Sequence, residues 1–396
     1  MSENMEYFNP NDILNEPLGE EFIKEQSEIA SEDRSTDEHD IDQSHSKNKF
    51  FNRRKKTNDR TGGKFVALGA SMVGKTCYIT GAFDRINGGI SNANGDNESE
   101  NPYSIQLFDA AEIQLMDTYI NNMHNENKVT VPDPTDEQIE FDFTFNHNLR
   151  SVETFQWIDY KGGVLKEKGS ASSSSNKFLT KVINADVIFS FVNGDDFLTE
   201  DISDPKEYEN FIVNKIKFNC RDQSYFIESY VKKKKVQPPV AIIITKCDKV
   251  RPHFIKIYNT SDEDIITEKI NKIIRAVFPN LFSIDRIESD PKSLVGIFPI
   301  SVISEENGTK RYCPINVQGP LYFGLCNVLY INRYDGKEKE EIFKKMCEKQ
   351  IDSTSEFFRC YLNGIYQPKK KFEEMVKEFY SGRKGDFQRG LHRKLW

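Results

Sequence analysis

The sequence predicts an α/β fold of three layers: a twisted, mostly parallel sheet with one antiparallel strand and helices on both faces. Three observations carry this expectation. Short apolar runs of strand length recur along the chain ("KFVALG", "ADVIFSFV", "PPVAIII", "GIFPI"), as in strands buried on both faces. Segments with helical spacing of apolar residues lie between them. One clean alternation, "IEFDFTFN", meets a second strand, "VETFQWIDY", across "HNLRS", which reads as a hairpin and supplies the antiparallel strand.

Composition sets the boundaries. The 396 residues suffice for two ordinary domains, or for one large domain with attachments. Residues 1–45 hold fourteen acidic side chains against two basic ones, Lys24 and Arg34, with little apolar material. Such a stretch buries too little surface to offset its ordering entropy, so disorder is expected there. The basic cluster that follows (Lys47, Lys49, Arg53, Arg54, Lys55, Lys56, Arg60) reads as a solvated linker. The net charge of −8 speaks against a general nucleic-acid binder, although contact through residues 47–60 stays open. The expected organisation is an acidic-then-basic region over 1–63, a folded domain over 64–332 and a basic helical extension over 333–396. Nothing at the N-terminus reads as a signal peptide, and no apolar run reaches the roughly 18 residues of a spanning helix. The seven cysteines (Cys77, Cys220, Cys247, Cys313, Cys326, Cys347, Cys360) are scattered, as expected for reduced thiols of a cytoplasmic protein. The histidines form no close pairs, so zinc has little support.

The first apolar run leads into the most informative stretch. "GASMVGKT" fits G-x-x-x-x-G-K-[ST], with Gly69, Gly74, Lys75 and Thr76 in the fixed places. A strand precedes it, and helix formers and apolar residues continue from Cys77 to Phe83. Glycines let the backbone curl until several N–H groups face one anionic oxygen, and a helix N-terminus adds partial positive charge. Lys75 brings a point charge to the outer phosphates, and the Thr76 hydroxyl suits Mg²⁺, a hard ion that prefers oxygen. This is a nucleoside triphosphate site.

The elements downstream bear on which nucleotide. A polar stretch, 87–102, reads as an exposed loop. A helical segment follows with Ile113, Met116, Ile120 and Met123, and then the hairpin, whose second strand runs into Asp159-x-x-Gly162. An aspartate at such a strand end holds Mg²⁺ through water, and the glycine frees an N–H for the γ-phosphate. "KGSASSSSN" (168–176) reads as a flexible surface loop. "ADVIFSFVNGDDF" gives another strand, and "PPVAIIITKCD" one that ends in Thr245-Lys246-Cys247-Asp248. A carboxylate only accepts hydrogen bonds. Guanine offers two adjacent donors, whereas adenine offers an acceptor, so Asp248 selects guanine. The Lys246 stem covers the ring face while its charge stays in water. "GIFPI" delivers Ser301 and Val302, whose backbone would meet the base carbonyl. "SDEDIITEKINKIIRAVF" puts Ile266, Ile270, Ile273, Ile274 and Val277 on one helix face, and "KKKK" (232–235) reads as a solvated helix end. "PKKKFEEMVKEFY" and the basic "GRKGDFQRGLHRKLW" read as core packing and a frayed tail, with partner docking the alternative for each.

Taken in order, these motifs resemble the guanine-nucleotide domain of P-loop GTPases over residues 64–332. "VPDPT", "ADVIFSFVNGDDF" and "INVQGPLYFGL" resemble, more narrowly, the bacterial double-GTPase-type domains of the translation-factor-related (TRAFAC) class. The resemblance implies GTP or GDP as ligand and Mg²⁺ as cofactor. It has the backbone from Gly69 through Ser71, Met72, Val73 and Gly74 to Cys77 wrap the phosphates, with Thr245, Lys246, Asp248, Ser301 and Val302 on the base. It places Mg²⁺ on Thr76, Thr135 and, through water, Asp159, with Lys75, Thr135 and Gly162 acting in catalysis; Thr130 is the alternative switch threonine. It also implies a protein partner, or a second copy, reading the switch regions or the C-terminal helices. The chain departs from the pattern at three places. Gly163 stands where regulatory GTPases often have glutamine, Thr245 where asparagine is commoner, and Val302 where alanine is usual. The first departure puts fast unaided hydrolysis in doubt. A scaffold that binds GTP and scarcely hydrolyses it, and an adenine-nucleotide enzyme, therefore stay open, the latter opposed by Asp248.

Overall fold

The computed structural model describes residues 62–88, 103–125, 129–130, 139–159, 173–283, 294–306, 308–331 and 341–342. Seven strands form its main sheet: β1 (Gly62–Leu68), β2 (Tyr103–Leu107), β3 (Ile139–His147), β4 (Arg150–Asp159), β5 (Val187–Val192), β6 (Val240–Ile244) and β7 (Val295–Pro299). Their spatial order is β2-β3-β4-β1-β5-β6-β7. β1 pairs in parallel with β4 and β5, and β6 continues the parallel run from β5 to β7. β3 runs antiparallel to both β2 and β4 and is the one reversed strand of this sheet. The α/β expectation with a single antiparallel strand therefore holds.

Period-two alternation splits each central strand between two cores. In β1, Phe65 and Ala67 join one core while Val66 and Leu68 join the other. The first core is closed by α1 (Lys75–Asn87), α2 (Ala110–His124) and α8 (Gln318–Ile331). The second is closed by α3 (Ser173–Ile183), α4 (Pro205–Asn219), α5 (Arg221–Lys234), α6 (Cys247–Tyr258) and α7 (Glu263–Val277). All five residues expected on the buried face of α7 are buried. Local chemistry sets several ends. Asp109 caps α2 by accepting from the N–H groups of Ala111 and Glu112, and Asp204 caps α4 with Pro205 behind it. Asn148 (φ 48°) and Leu149 (φ 64°) both take left-handed backbone, as a two-residue hairpin turn between β3 and β4 requires.

The structure differs from the sequence reading in three places. β2 follows the stretch read as loop and adds an edge strand. Ser301 opens a second, two-stranded sheet of β8 (Ser301–Glu306) and β9 (Thr309–Ile315). Residues 173–176 of the serine-rich stretch belong to the first turn of α3 rather than to a loop. α8 closes at Ile331, and Ile342, within the stretch expected to be an extension, is buried in the first core. The acidic and basic N-terminal segments, Cys347, Cys360 and the last two C-terminal segments lie outside the described residues. The other five cysteines are free thiols.

Candidate nucleotide site

β1, β4, β5, β6 and β7 all point their carboxyl ends the same way. The chain leaves β1 toward β4 on one side and later continues to β5 on the other. Strand order thus reverses at β1, which is where ligands settle in open α/β sheets. The loop 69–74 sits on that edge. Its two glycines are needed for different reasons. A Cβ on Gly69 would lie 2.9 Å from Val73 Cγ1 and 3.0 Å from Phe191 Cβ, so no side chain fits. Gly74 has φ 98°, left-handed backbone that a side chain resists, although its nearest neighbour, Thr245 Cγ2, would be a comfortable 3.6 Å away. Met72 also takes positive φ (62°) with its side chain exposed, as is Ser71, whereas Val73 is buried in the core. Gly74 is the N-cap of α1 and offers no side chain to its first amides, which leaves that helix end for an anion.

Lys75 is buried among loop atoms. Its Nζ donates to the carbonyls of Gly69 (3.1 Å) and Ala70 (3.0 Å) and lies 3.9 Å from Asp159 Oδ1. Thr76 Oγ1 donates to Asp159 Oδ2 at 2.8 Å. Burial lowers the Lys75 pKa, with Asp159 opposing. Burial raises the Asp159 pKa, with Lys75 and the Thr76 hydroxyl opposing. Cys77 follows, half-buried, its thiol pushed up to about 11 mainly by burial, so it is protonated at neutral pH. The Thr76 hydroxyl and the Asp159 carboxylate are hard oxygens held together, a donor set that fits Mg²⁺ binding with phosphate and water completing the shell. Among the described residues no cluster of three or more His, Cys, Asp or Glu side chains forms an alternative metal site.

Thr245-Lys246-Cys247-Asp248 lies on the same edge. Thr245 is buried and donates both its N–H (3.1 Å) and its hydroxyl (3.3 Å) to the Val192 carbonyl at the end of β5. Lys246 takes left-handed backbone (φ 56°), and its ammonium is paired with Asp195. Cys247 N–H donates to the Ile300 carbonyl at 2.9 Å, which ties the loop to the β7 end. Ser301 Oγ donates to Asp248 Oδ1 at 2.7 Å, so the hydroxyl orients one oxygen of this carboxylate. Val302 is a core side chain: it is buried, and a Cβ on Gly81 of α1 would come within 3.0 Å of its Cγ1.

The structure therefore brings together Gly69 through Cys77, Asp159, Thr245, Lys246, Asp248 and Ser301. Thr135, Gly162 and Gly163 lie outside the described residues. Thr130 is exposed, and its N–H donates to the Asn122 carbonyl. Sequence reasoning missed the turn Asn193–Asp196, which packs on the Thr245 loop, and the Lys249–Glu305 pair (2.9 Å). Asn-Gly-Asp-Asp after an apolar strand was the available signal for the turn. Among the described residues no helix is long and apolar enough to cross a membrane.

No protein-family model matches the chain, and comparison with curated proteins returns no match. Among solved structures the chain is similar to a point mutant of the S. thermophilus NFeoB protein bound to GDP. The identity is 8%, the match covers 80% of this chain and 98% of that one, and the TM-score is 0.20. A likeness so remote says nothing about ligand or activity.

Proposed function

We propose that this protein binds GTP with Mg²⁺ and hydrolyses it to GDP, and that partner proteins read the nucleotide state. The observation that carries the proposal is one strand edge holding both a phosphate set, Lys75 with Thr76 and Asp159, and a base-edge acceptor, Asp248. Lys75 would exchange its carbonyl partners for the β- and γ-phosphates and neutralise charge as it develops. Thr76 and Asp159 would hold Mg²⁺, which, when bound, supplies further neutralisation across the phosphate oxygens. The free amides at the start of α1 would receive the phosphates, and Asp248 would accept from the two donors of guanine. Within this reading Thr135, or Thr130 in its place, would close on the γ-phosphate and Gly162 would present its N–H there. The TRAFAC double-GTPase-type assignment, a protein partner or second copy at the switch regions or C-terminal helices, and cytoplasmic residence belong to the same proposal.

Gly163 favours one second reading, a GTP-binding scaffold with little hydrolysis. A hydrogen atom orients no water, so turnover would wait for a group supplied in trans, a contribution of about 10³–10⁵-fold in related chemistry. Two measurements test the pair of readings. Nucleotide released from the denatured purified protein should be guanine nucleotide; adenine nucleotide alone would overturn the proposal. Single-turnover hydrolysis, with and without cell extract, separates switch from scaffold.

A further inference from the structure

We infer that Asp195, in the turn after β5, is a positioning residue for purine binding. It holds the Lys246 ammonium so that the lysine stem is already laid out to cover the base that Asp248 reads. The inference rests on the guanine-nucleotide reading and adds to it a residue outside every motif.

Three observations lead to it. First, the turn is seated directly on the base loop. A Cβ at Gly194 would fall 2.0 Å from the Thr245 carbonyl oxygen and 3.1 Å from Lys246 Cβ, so only glycine allows this approach. Second, the turn is braced. Asn193 Oδ1 accepts from Asp195 N–H (3.2 Å), and Asp196 N–H donates to the Asn193 carbonyl (3.0 Å). Lys215 Nζ lies 3.4 Å from the carbonyls of both Asp195 and Leu198. The carboxylate is therefore presented from a fixed support. Third, Lys246 enters with left-handed backbone (φ 56°, ψ 39°), which fixes its Cα–Cβ direction, and its ammonium ends on Asp195 Oδ2. Both ends of a long, flexible side chain are thus held.

The energetics favour orientation over stability as the role of this pair. Lys246 and Asp195 are 33% and 42% exposed, and ion pairs so open to water contribute little to folding. A free lysine, however, loses much rotamer freedom when a ligand immobilises it. Ordering it before the ligand arrives removes that cost from binding. An acidic side chain near a polyanion also needs neutralising, and Lys246 does this at Asp195 itself.

The test is equilibrium binding of GTP and ITP to the full chain, for the wild type, Asp195→Asn, Asp195→Glu, Lys246→Ala and the Asp195→Asn/Lys246→Ala double variant, with melting curves for each. ITP lacks the 2-amino donor. An effect through the ring face lowers both affinities equally, whereas damage to Asp248 changes their ratio. We expect Asp195→Asn to bind both nucleotides about tenfold more weakly, with its melting curve unchanged. Asp195→Glu should recover part of that loss, and the double variant should bind no more weakly than Lys246→Ala alone. Wild-type affinity in Asp195→Asn, additive losses in the double variant, or a changed GTP-to-ITP ratio would each overturn the inference while leaving the guanine reading intact. A wild type that binds neither nucleotide would overturn both.

Discussion

Gly74 and Gly308 form a matched pair for testing whether the loop backbone is what the structure says. Both take left-handed backbone, φ 98° and φ 77°. Neither has a steric reason to be glycine. A Cβ at Gly74 would meet nothing nearer than Thr245 Cγ2 at 3.6 Å, and one at Gly308 nothing within 4 Å. Substitution by alanine therefore isolates the backbone term, about 1–2 kcal/mol for a left-handed residue with a Cβ. Alanine also restricts the unfolded chain, which returns part of the loss, about 0.4–1 kcal/mol. The net expectation is a destabilisation of about 1 kcal/mol in each variant, read from urea unfolding at constant m-value. Their binding should differ. Gly74 is the N-cap of the helix end that the proposed function assigns to the phosphates, whereas Gly308 turns the β8–β9 hairpin. Gly74→Ala should weaken binding of a GTP analogue, and Gly308→Ala should not. A Gly74→Ala protein at least as stable as the wild type would refute the left-handed assignment. Equal binding losses in both variants would refute the placement of the phosphate at α1.

Three further outcomes follow from named contacts. The Asp159 carboxyl is raised above its ordinary 3.8 mainly by burial. The folded protein thus holds that proton more tightly than the unfolded chain, and this contribution is full below pH 3.8 and lost as pH rises through the raised value. The stability difference between wild type and Asp159→Asn, from unfolding at a series of acidic pH values, should fall with rising pH; a pH-independent difference would contradict the buried carboxyl. Asp248→Asn replaces a pure acceptor by one acceptor and one donor, so it should weaken GTP binding by about 1.5–3 kcal/mol and favour XTP, whose base carries a carbonyl at the 2-position; a retained guanine preference in competition binding would remove Asp248 as base reader. Tyr312 Oη donates to Asp84 Oδ2 at 2.6 Å, and the same oxygen lies 3.0 Å from His124 Nε2, which joins β9, α1 and α2. Tyr312→Phe should cost about 1–2 kcal/mol in urea unfolding, and an unchanged midpoint would show that the junction is not held by this bond.

What was legible in the sequence was what local chemistry determines. The G-x-x-x-x-G-K-T loop is a contiguous pattern in which each fixed residue answers a local demand, so spacing alone singled it out. The buried strands announced themselves because both faces are covered, and α7 because its isoleucines share one stripe. β2 went unread, since the loop reading stopped at residue 102, even though Tyr103, Ile105 and Leu107 alternate with Ser104 and Gln106. Five residues beside a polar stretch make a weak signal, and what holds them is tertiary. Asn87, at the end of α1, donates to the Ile105 carbonyl (2.8 Å) and accepts its N–H (2.9 Å) while β3 pairs the other edge. The Asp195–Lys246 pair was illegible for a similar reason: its partners stand 51 residues apart, and neither is unusual in its own neighbourhood. Ser301 was read for its backbone, yet in the structure it is the side chain that orients Asp248.

The side chains of the candidate phosphate site are bonded to one another, and that shapes what the proposed binding would require. Lys75 Nζ is satisfied by two loop carbonyls and Asp159, and Thr76 by Asp159. In the proposed function a triphosphate would therefore gain Lys75 only by exchange. The two carbonyls would lose a charged donor, and Asp159 would lose the hydroxyl that opposes its raised pKa. A polyanion without a cation would leave Asp159 buried beside further negative charge, so the proposal has phosphate and Mg²⁺ bind together. The base end works differently. Asp248 is bonded to Ser301 and Lys246 to Asp195 without obstructing either, so the proposed base would have little to break there. In the proposed switch the guanine end would thus anchor either nucleotide, while the Lys75–Thr76–Asp159 cluster would rearrange with the number of phosphates present.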